Sequence, residues 1–404
     1  MKRFTEINNE SISGVAYKTI TIKKAVIAYF SRYGNATIAD LKTQLSLSTP
    51  KIIDVLNDLV EFGLVKDYGK QESSGGRKPN VYGLVNGAGY FLGVDIKNDH
   101  LKFAVLDLQK NLVSFKDKVP YEASNTEKGL NELCNIILGF IKESSLPKDK
   151  LLGIGISLFG RINQISGKSH NLFNFYNEPL EGVLSQKLDM RVFIENDSRA
   201  MCYGEFARGV VTTEKDMLFL NIDYGLGVGI IINGSLYYGK SGFSGEFGHV
   251  PAFDNEIMCR CGKKGCLETE VSGWALLNQF KQRIDKGSAS ILSDKYKEGN
   301  LEIDDILEAI YNDDVLAIEL VAEMGGKLGR SMASLINIFN PELVVLGGKL
   351  TAAGENLLLP LKTALRKYSS SLVNNDTQIK ITELNEQAGV WGACLLARNR
   401  VLEN

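Results

Sequence analysis

His249, Cys259, Cys261 and Cys266 fall within 18 residues, in the spacing His-x9-Cys-x-Cys-x4-Cys. Thiolate sulfur and imidazole nitrogen are soft to borderline donors that suit tetrahedral zinc. Gly262 and Gly265 give the intervening loop the freedom to fold back on an ion. Three of the six cysteines and one of only three histidines gather here, which favours a metal site over unrelated core residues. Four protein ligands leave no coordination position for a substrate, so the expected zinc is structural. Disulfides would need an oxidising compartment, to which nothing in the sequence points. Cys134, Cys202 and Cys394 read as small buried apolar residues.

Residues 87–404, which must position this cluster, alternate strand and helix patterns. Tyr90–Ile96, Lys102–Asp107, Leu151–Ser157 and Val192–Glu195 read as strands, with Thr126–Ser144 a helix among them. Met217–Ile222 and Gly227–Ile232 begin a second such set, followed by helices over Asp304–Tyr311 and Val315–Phe339. A strand at Leu343–Leu346 and a closing helix at Ala388–Ala397 complete it. Two sets of strand–helix repetition predict an α/β protein with two lobes and a cleft between them.

The first 86 residues have a different pattern. Thr21–Ser31 places Ile22, Ala25, Val26, Tyr29 and Phe30 on one helical face, and Gly34-Asn35 stops that helix. Thr37 is placed to cap a short helix over Ile38–Leu45, and Ser48 a third whose first turn holds Pro50. Leu64–Tyr68 and Val81–Val85 read as strands around a loop containing Gly75-Gly76-Arg77-Lys78-Pro79. Three helices and a hairpin, with a very short second turn, predict a winged helix-turn-helix. Ser48, Thr49 and Lys51 at the start of the third helix, with Arg77 and Lys78 on the wing, are the expected contacts to double-stranded DNA.

Charge supports that division. The 404-residue chain has a formal net charge of −2, but residues 1–86 hold 12 Lys and Arg against 8 Asp and Glu, leaving 34 against 40 for the rest. The near-neutral total is thus a basic segment cancelled by an acidic one. With 44% hydrophobic residues, disorder is excluded, and the longest apolar runs fall far short of a membrane span. The N-terminus has no apolar signal-peptide core, so a cytoplasmic location is expected.

Around the metal pattern the chain reads Gly245-Glu246-Phe247-Gly248-His249, then Cys259-Arg260-Cys261-Gly262-Lys263-Lys264-Gly265-Cys266-Leu267-Glu268. This resembles the signature of the ROK family (repressor, open reading frame, kinase). The likeness continues at Glu195-Asn196-Asp197, Gly204-Glu205, Gly225-Leu226-Gly227-Val228-Gly229, Asn340-Pro341-Glu342 and Gly347-Gly348. The resemblance implies an actin-like, ribonuclease H-like sugar-kinase fold over residues 87–404, with a small lobe at 87–210 plus 386–404 and a large, zinc-bearing lobe at 211–385. It also implies a sugar site made of Asn196, Asp197, Glu246, His249 and Glu268, in which zinc holds the sugar-binding loop. A winged helix ahead of such a domain is similar to the family's sugar-responsive repressors.

Family kinases use the residue matching Asp197 as general base, so Asp197 is catalytic here only if the chain is a kinase. Such kinases also carry Asp-x-Gly-Gly-Thr after the first strand, where bare backbone approaches phosphate. This chain has Asp95-Ile96-Lys97-Asn98-Asp99-His100, with both glycines replaced and an acid added. ATP and magnesium are therefore not expected as cofactors. The resulting expectation is a DNA-binding regulator, a repressor of carbohydrate genes, that senses a sugar or sugar derivative as a homodimer or higher oligomer. An active ATP-dependent sugar kinase carrying a DNA-binding domain is the alternative.

Overall fold

A computed structural model describes residues 15–70 and 79–402; Arg77 and Lys78 of the expected wing lie outside them. Contacts divide the chain into one unit drawn from Met1–Asp197 with Val390–Asn404, and a second from Ser198–Gly389.

The first unit opens with α1 (Val15–Tyr33), β1 (Ala36–Thr37), α2 (Ile38–Leu45), α3 (Thr49–Glu61), β2 (Val65–Lys70) and β3 (Asn80–Leu84). The three strands form an antiparallel sheet in the order β1-β3-β2. Apolar residues at helical spacing, among them Val26, Ile27, Phe30, Leu41, Ile52 and Leu56, supply the buried core. α2 starts where a capping box forms: Asp40 N–H donates to Thr37 Oγ1 at 3.2 Å, and Thr37 N–H donates to Asp40 Oδ2 at 2.9 Å. Ser48 occupies the N-cap of α3, but its hydroxyl makes no capping bond there. α1 extends beyond the expected stretch at both ends, and β1 has only two residues, too few for a sequence pattern.

The same unit continues through β4 (Tyr90–Ile96), β5 (His100–Asp107), β6 (Leu112–Pro120), α4 (Glu127–Glu143), β7 (Leu151–Leu158), β8 (Ile162–Asn163), β9 (Lys168–Ser169), α5 (Leu180–Leu188) and β10 (Val192–Asn196). Its five-stranded sheet runs β10-β7-β4-β5-β6, parallel from β10 to β4 and antiparallel from β4 to β6. Leu92, Val94 and Ile96 project to one face, where they join the apolar stripes of α4 and α5. The opposite face takes the C-terminal helix, Ala388–Leu402. That helix approaches so closely that a Cβ on Gly93 would lie 2.3 Å from Val390 O, and one on Gly155 1.9 Å from Ala393 O.

The second unit contains α6 (Asp197–Arg208, entered from the first unit), β11 (Met217–Ile222), β12 (Leu226–Ile232), β13 (Ser235–Leu236), α7 (Gly273–Asp285), α8 (Ser293–Lys297), α9 (Ile303–Tyr311), α10 (Val315–Phe339), β14 (Leu343–Gly347), α11 (Glu355–Tyr368), α12 (Ser371–Asp376) and β15 (Gln378–Ile381). Its sheet runs β13-β12-β11-β14-β15. In each unit three antiparallel strands lead into two parallel ones, so one strand order appears twice. This duplicated α/β arrangement is the actin-like sugar-kinase fold. Leu218, Leu220 and Val344 pack against α7, α9, α10 and α11 on one face, while Phe219 and Val345 meet Met201 and Cys202 of α6 on the other. Among the described residues no helix is long and apolar enough to cross a membrane.

Candidate metal centre and neighbouring carboxylates

The loop after β13 brings the four expected ligands together. One donor atom each from His249, Cys259, Cys261 and Cys266 lies within 4.8 Å of all the others. Cys259 Sγ is 3.6 Å from His249 Nδ1, and Cys261 Sγ is 3.6 Å from Cys266 Sγ. Metal–sulfur bonds of about 2.3 Å in tetrahedral geometry would separate two sulfurs by roughly 3.8 Å, so these residues fit a four-coordinate ion. Burial pushes the Cys259 thiol up to about 12 and also raises Cys266. Ionising such thiols is costly without a cation beside them. All six cysteines are free of disulfides, and Cys134, Cys202 and Cys394 are buried.

Local backbone geometry builds this loop. Pro251 bridges to Cys266 and Met258 to Lys264, and Cys259 N–H donates to Lys263 O at 2.8 Å. Gly265 has a φ of +73°, and a Cβ there would sit 2.5 Å from Phe253 O. Upstream, Gly245 has a φ of +85° and lies so close to β12 that a Cβ would meet Val228 O at 2.0 Å. The loop carrying Glu246 and His249 is thereby pressed onto the sheet.

The carboxylates expected to bind sugar differ in their surroundings. Glu246 Oε2 faces His249 Nε2 at 3.7 Å, which leaves Nδ1 as the nitrogen on the cysteine side. Glu268 Oε2 accepts the Leu226 N–H at 3.0 Å, and its Oε1 lies 3.8 Å from Cys259 Sγ. Glu268 therefore links the metal loop to the glycine-rich start of β12. In the first unit, at the end of β10, Asn196 Nδ2 donates to Gly160 O at 3.0 Å and to Asp197 Oδ1 at 2.7 Å.

From sequence alone Arg199 has no role, and Lys97 only that of a replaced glycine. Arg199, almost wholly buried, donates from Nη1 to Gly242 O at 2.7 Å and stacks 5.6 Å from the Tyr238 ring, fastening the segment that leads to Glu246. The available signal was a cation among apolar residues of α6. Lys97 places Nζ 3.2 Å from Oδ2 of the fully buried Asp95, an ion-pair contact without hydrogen-bond geometry. Asp95 Oδ1 accepts from Ser157 Oγ at 2.7 Å. Asp99 of the same turn is exposed, with Oδ1 2.7 Å from His100 Nδ1.

At the start of α3, Ser48 and Thr49 are exposed. Lys51 is half-buried, with Nζ 3.3 Å from Thr19 Oγ1 of α1.

Duplicated sheets of this order, with a loop beside Gly-Glu-x-Gly-His whose histidine and three cysteines could hold a metal ion, define a protein of the sugar-kinase fold. The ROK family model matches residues 91–400, and the chain belongs to the ROK family. The chain is similar to the xylose repressor of Caldicellulosiruptor bescii, with 28% identity over 89% of this chain and 90% of that one. It is also similar to the glucokinase of Halalkalibacterium halodurans, with 30% identity over 77% of this chain and 96% of that one. A solved ROK family transcriptional regulator, described as a homolog of the E. coli MLC protein, superposes with a TM-score of 0.81 at 25% identity, over 95% of this chain and 97% of that one.

Proposed function

We propose that this protein is a sugar-responsive, DNA-binding transcriptional repressor of carbohydrate genes. The observation that carries the reading is the reach of the likeness: regulator relatives align over 88–95% of the chain, whereas the glucokinase covers 77%. We read the difference as the N-terminal helices and hairpin, which precede the residues 91–400 matched by the ROK family model. We read residues 1–86 as a winged helix-turn-helix, with Ser48, Thr49 and Lys51 at the N-terminus of α3 and Arg77 and Lys78 on the wing as its DNA contacts. The N-terminal turn of a helix presents free N–H groups to phosphate, and cationic side chains release counterions from the duplex. Release of Lys51 from Thr19 frees an ammonium for that purpose.

Asn196, Asp197, Glu246, His249 and Glu268 are the proposed sugar-binding groups, since carboxylates, amide and imidazole accept and donate to neighbouring hydroxyls. An ionised Asp197 favours a neutral sugar over a phosphorylated one. The ion held by His249 and the three cysteines is proposed to be structural zinc; when bound it supplies a fourfold tether for the loop. His249 then holds its Nε2 toward Glu246, and Glu268 holds the start of β12. Sugar shifts the protein between DNA-binding and released states only through its different affinity for the two. A cytoplasmic homodimer reading two half-sites completes the proposal.

Retention of Asp197 and the glucokinase likeness favour one second reading, an active sugar kinase. An ATP-coupled assay over hexoses, pentoses and N-acetylhexosamines separates the two. Turnover abolished by Asp197→Asn establishes the kinase, and its absence together with sugar-sensitive DNA binding supports the repressor.

A further inference from the structure

Arg398 lies in the C-terminal helix and is almost wholly buried. Its Nε donates to Leu108 O at 3.4 Å, and its Nη2 donates to Ser31 Oγ in the last part of α1. Ser31 Oγ in turn donates to Leu108 O at 3.1 Å. Three segments far apart in the chain thus close on one another: the end of α1, the turn after β5 and the C-terminal helix. The neighbouring Gln109 Nε2 donates to Leu84 O at 3.0 Å, so the same turn also holds the end of β3.

A buried guanidinium is tolerated only while its donors are matched, so losing the Ser31 hydroxyl weakens the match at Nη2 while the bonds to Leu108 O and Asn399 Oδ1 remain. The C-terminal helix that presents Arg398 has little freedom, because Gly93 and Gly155 seat it directly on the sheet. On the other side, α1 is tied to α3 by a Lys23–Asp58 ion pair of 2.7 Å and by the Lys51–Thr19 contact. Polar contacts at separate points along α1 therefore connect the C-terminal helix, through Arg398 and Ser31, to the helix read as DNA-recognising.

We propose that Arg398, with Ser31 and the Leu108 carbonyl, is the lock that fixes the N-terminal domain on the first α/β sheet. Arg398 is a positioning residue, and the placement of α3 follows that of the C-terminal helix. The significance of the lock for gene control rests on the repressor reading above; the lock itself does not.

The test is amide hydrogen exchange on the full-length protein, comparing wild type with Ser31→Ala, Arg398→Met and Arg398→Lys. The expected result is faster exchange, on the order of tenfold, in peptides covering 24–33 and 104–112 for Ser31→Ala and Arg398→Met. Arg398→Lys should show a smaller increase, since an ammonium lacks the planar fork that reaches both acceptors. Peptides from the second unit should be unchanged. Unchanged exchange at 24–33 in Ser31→Ala, which removes only a hydroxyl, overturns the lock. Uniformly faster exchange confined to Arg398→Met also overturns it, since that is general destabilisation. In the same preparations, wild type is titrated with a duplex of its own upstream DNA. Failure to bind retires the repressor reading and leaves the exchange result standing.

Discussion

Lys97 folds back onto Asp95, its Nζ 3.2 Å from an Oδ2 that is fully buried at the end of β4. The resemblance to family kinases leads to the expectation of glycine at this position, and this chain carries a cationic side chain there. Removing the ammonium leaves the buried carboxylate with its Ser157 hydroxyl bond but without this ion pair. Lys97 is partly exposed, so the loss is set below that of a fully buried pair: Lys97→Met should destabilise by about 1–3 kcal/mol. Asp95→Asn in the same chain should recover part of this, as read by urea unfolding in a double-mutant cycle. Wild type should bind no Mg-ATP at millimolar nucleotide in calorimetric titration.

Metal removal gives the second prediction. Purified protein should contain one zinc per chain, and Cys259→Ser or Cys266→Ser should lose it. Chelation should lower the melting temperature by several degrees, each kcal/mol of lost stability shifting it by about 2–4 °C for a unit of this size. Zinc content by mass spectrometry and a thermal scan check both statements.

The capping box of α2 gives a prediction with a defined pH sign. The Thr37 N–H, and then the Thr37 hydroxyl, hold the Asp40 carboxyl below its usual range. A carboxyl depressed in the folded state contributes stability above its unfolded pKa of about 3.9 and loses it as pH falls through the folded value. Thr37→Ala should cost about 1 kcal/mol at neutral pH. The gap between wild type and Asp40→Asn should close in acid unfolding below about pH 4.

Gly245 gives a fourth. With a φ of +85° and Val228 O 2.0 Å from where a Cβ would stand, Gly245→Ala must move the loop off β12. Glu246 and His249 move with it. Sugar-induced thermal stabilisation should vanish in this variant, while affinity for DNA stays within about twofold of wild type.

Much of this was legible in the sequence wherever a local pattern carried it. Val315–Phe339 and Tyr90–Ile96 have the bounds expected from their apolar periodicity, and the metal ligands converge because a tight Cys-x-Cys-x4-Cys loop leaves them little choice. Elements without such a pattern went unseen. β6 is an edge strand with mostly exposed residues, α6 is buried on most sides, and α11 continues through Pro360. Long-range polar partners were out of reach for a different reason. Lys97 read as a lost glycine, and its pairing with Asp95 depends on which way a side chain turns. Arg398 and Ser31 are 367 positions apart, and no spacing rule connects them.

Sugar-controlled DNA binding is the property on which the repressor reading stands or falls. The most direct measurement is fluorescence anisotropy of a labelled duplex from the gene's own upstream region, titrated with zinc-loaded protein with and without neutral sugars, D-xylose, D-glucose and N-acetylglucosamine among them. The predicted result is salt-dependent binding that one sugar weakens at least tenfold, or by about 1.4 kcal/mol, with no effect of the same sugar on Asp197→Asn. Binding indifferent to every sugar, or absence of binding alongside ATP-dependent phosphorylation of a sugar, would contradict it.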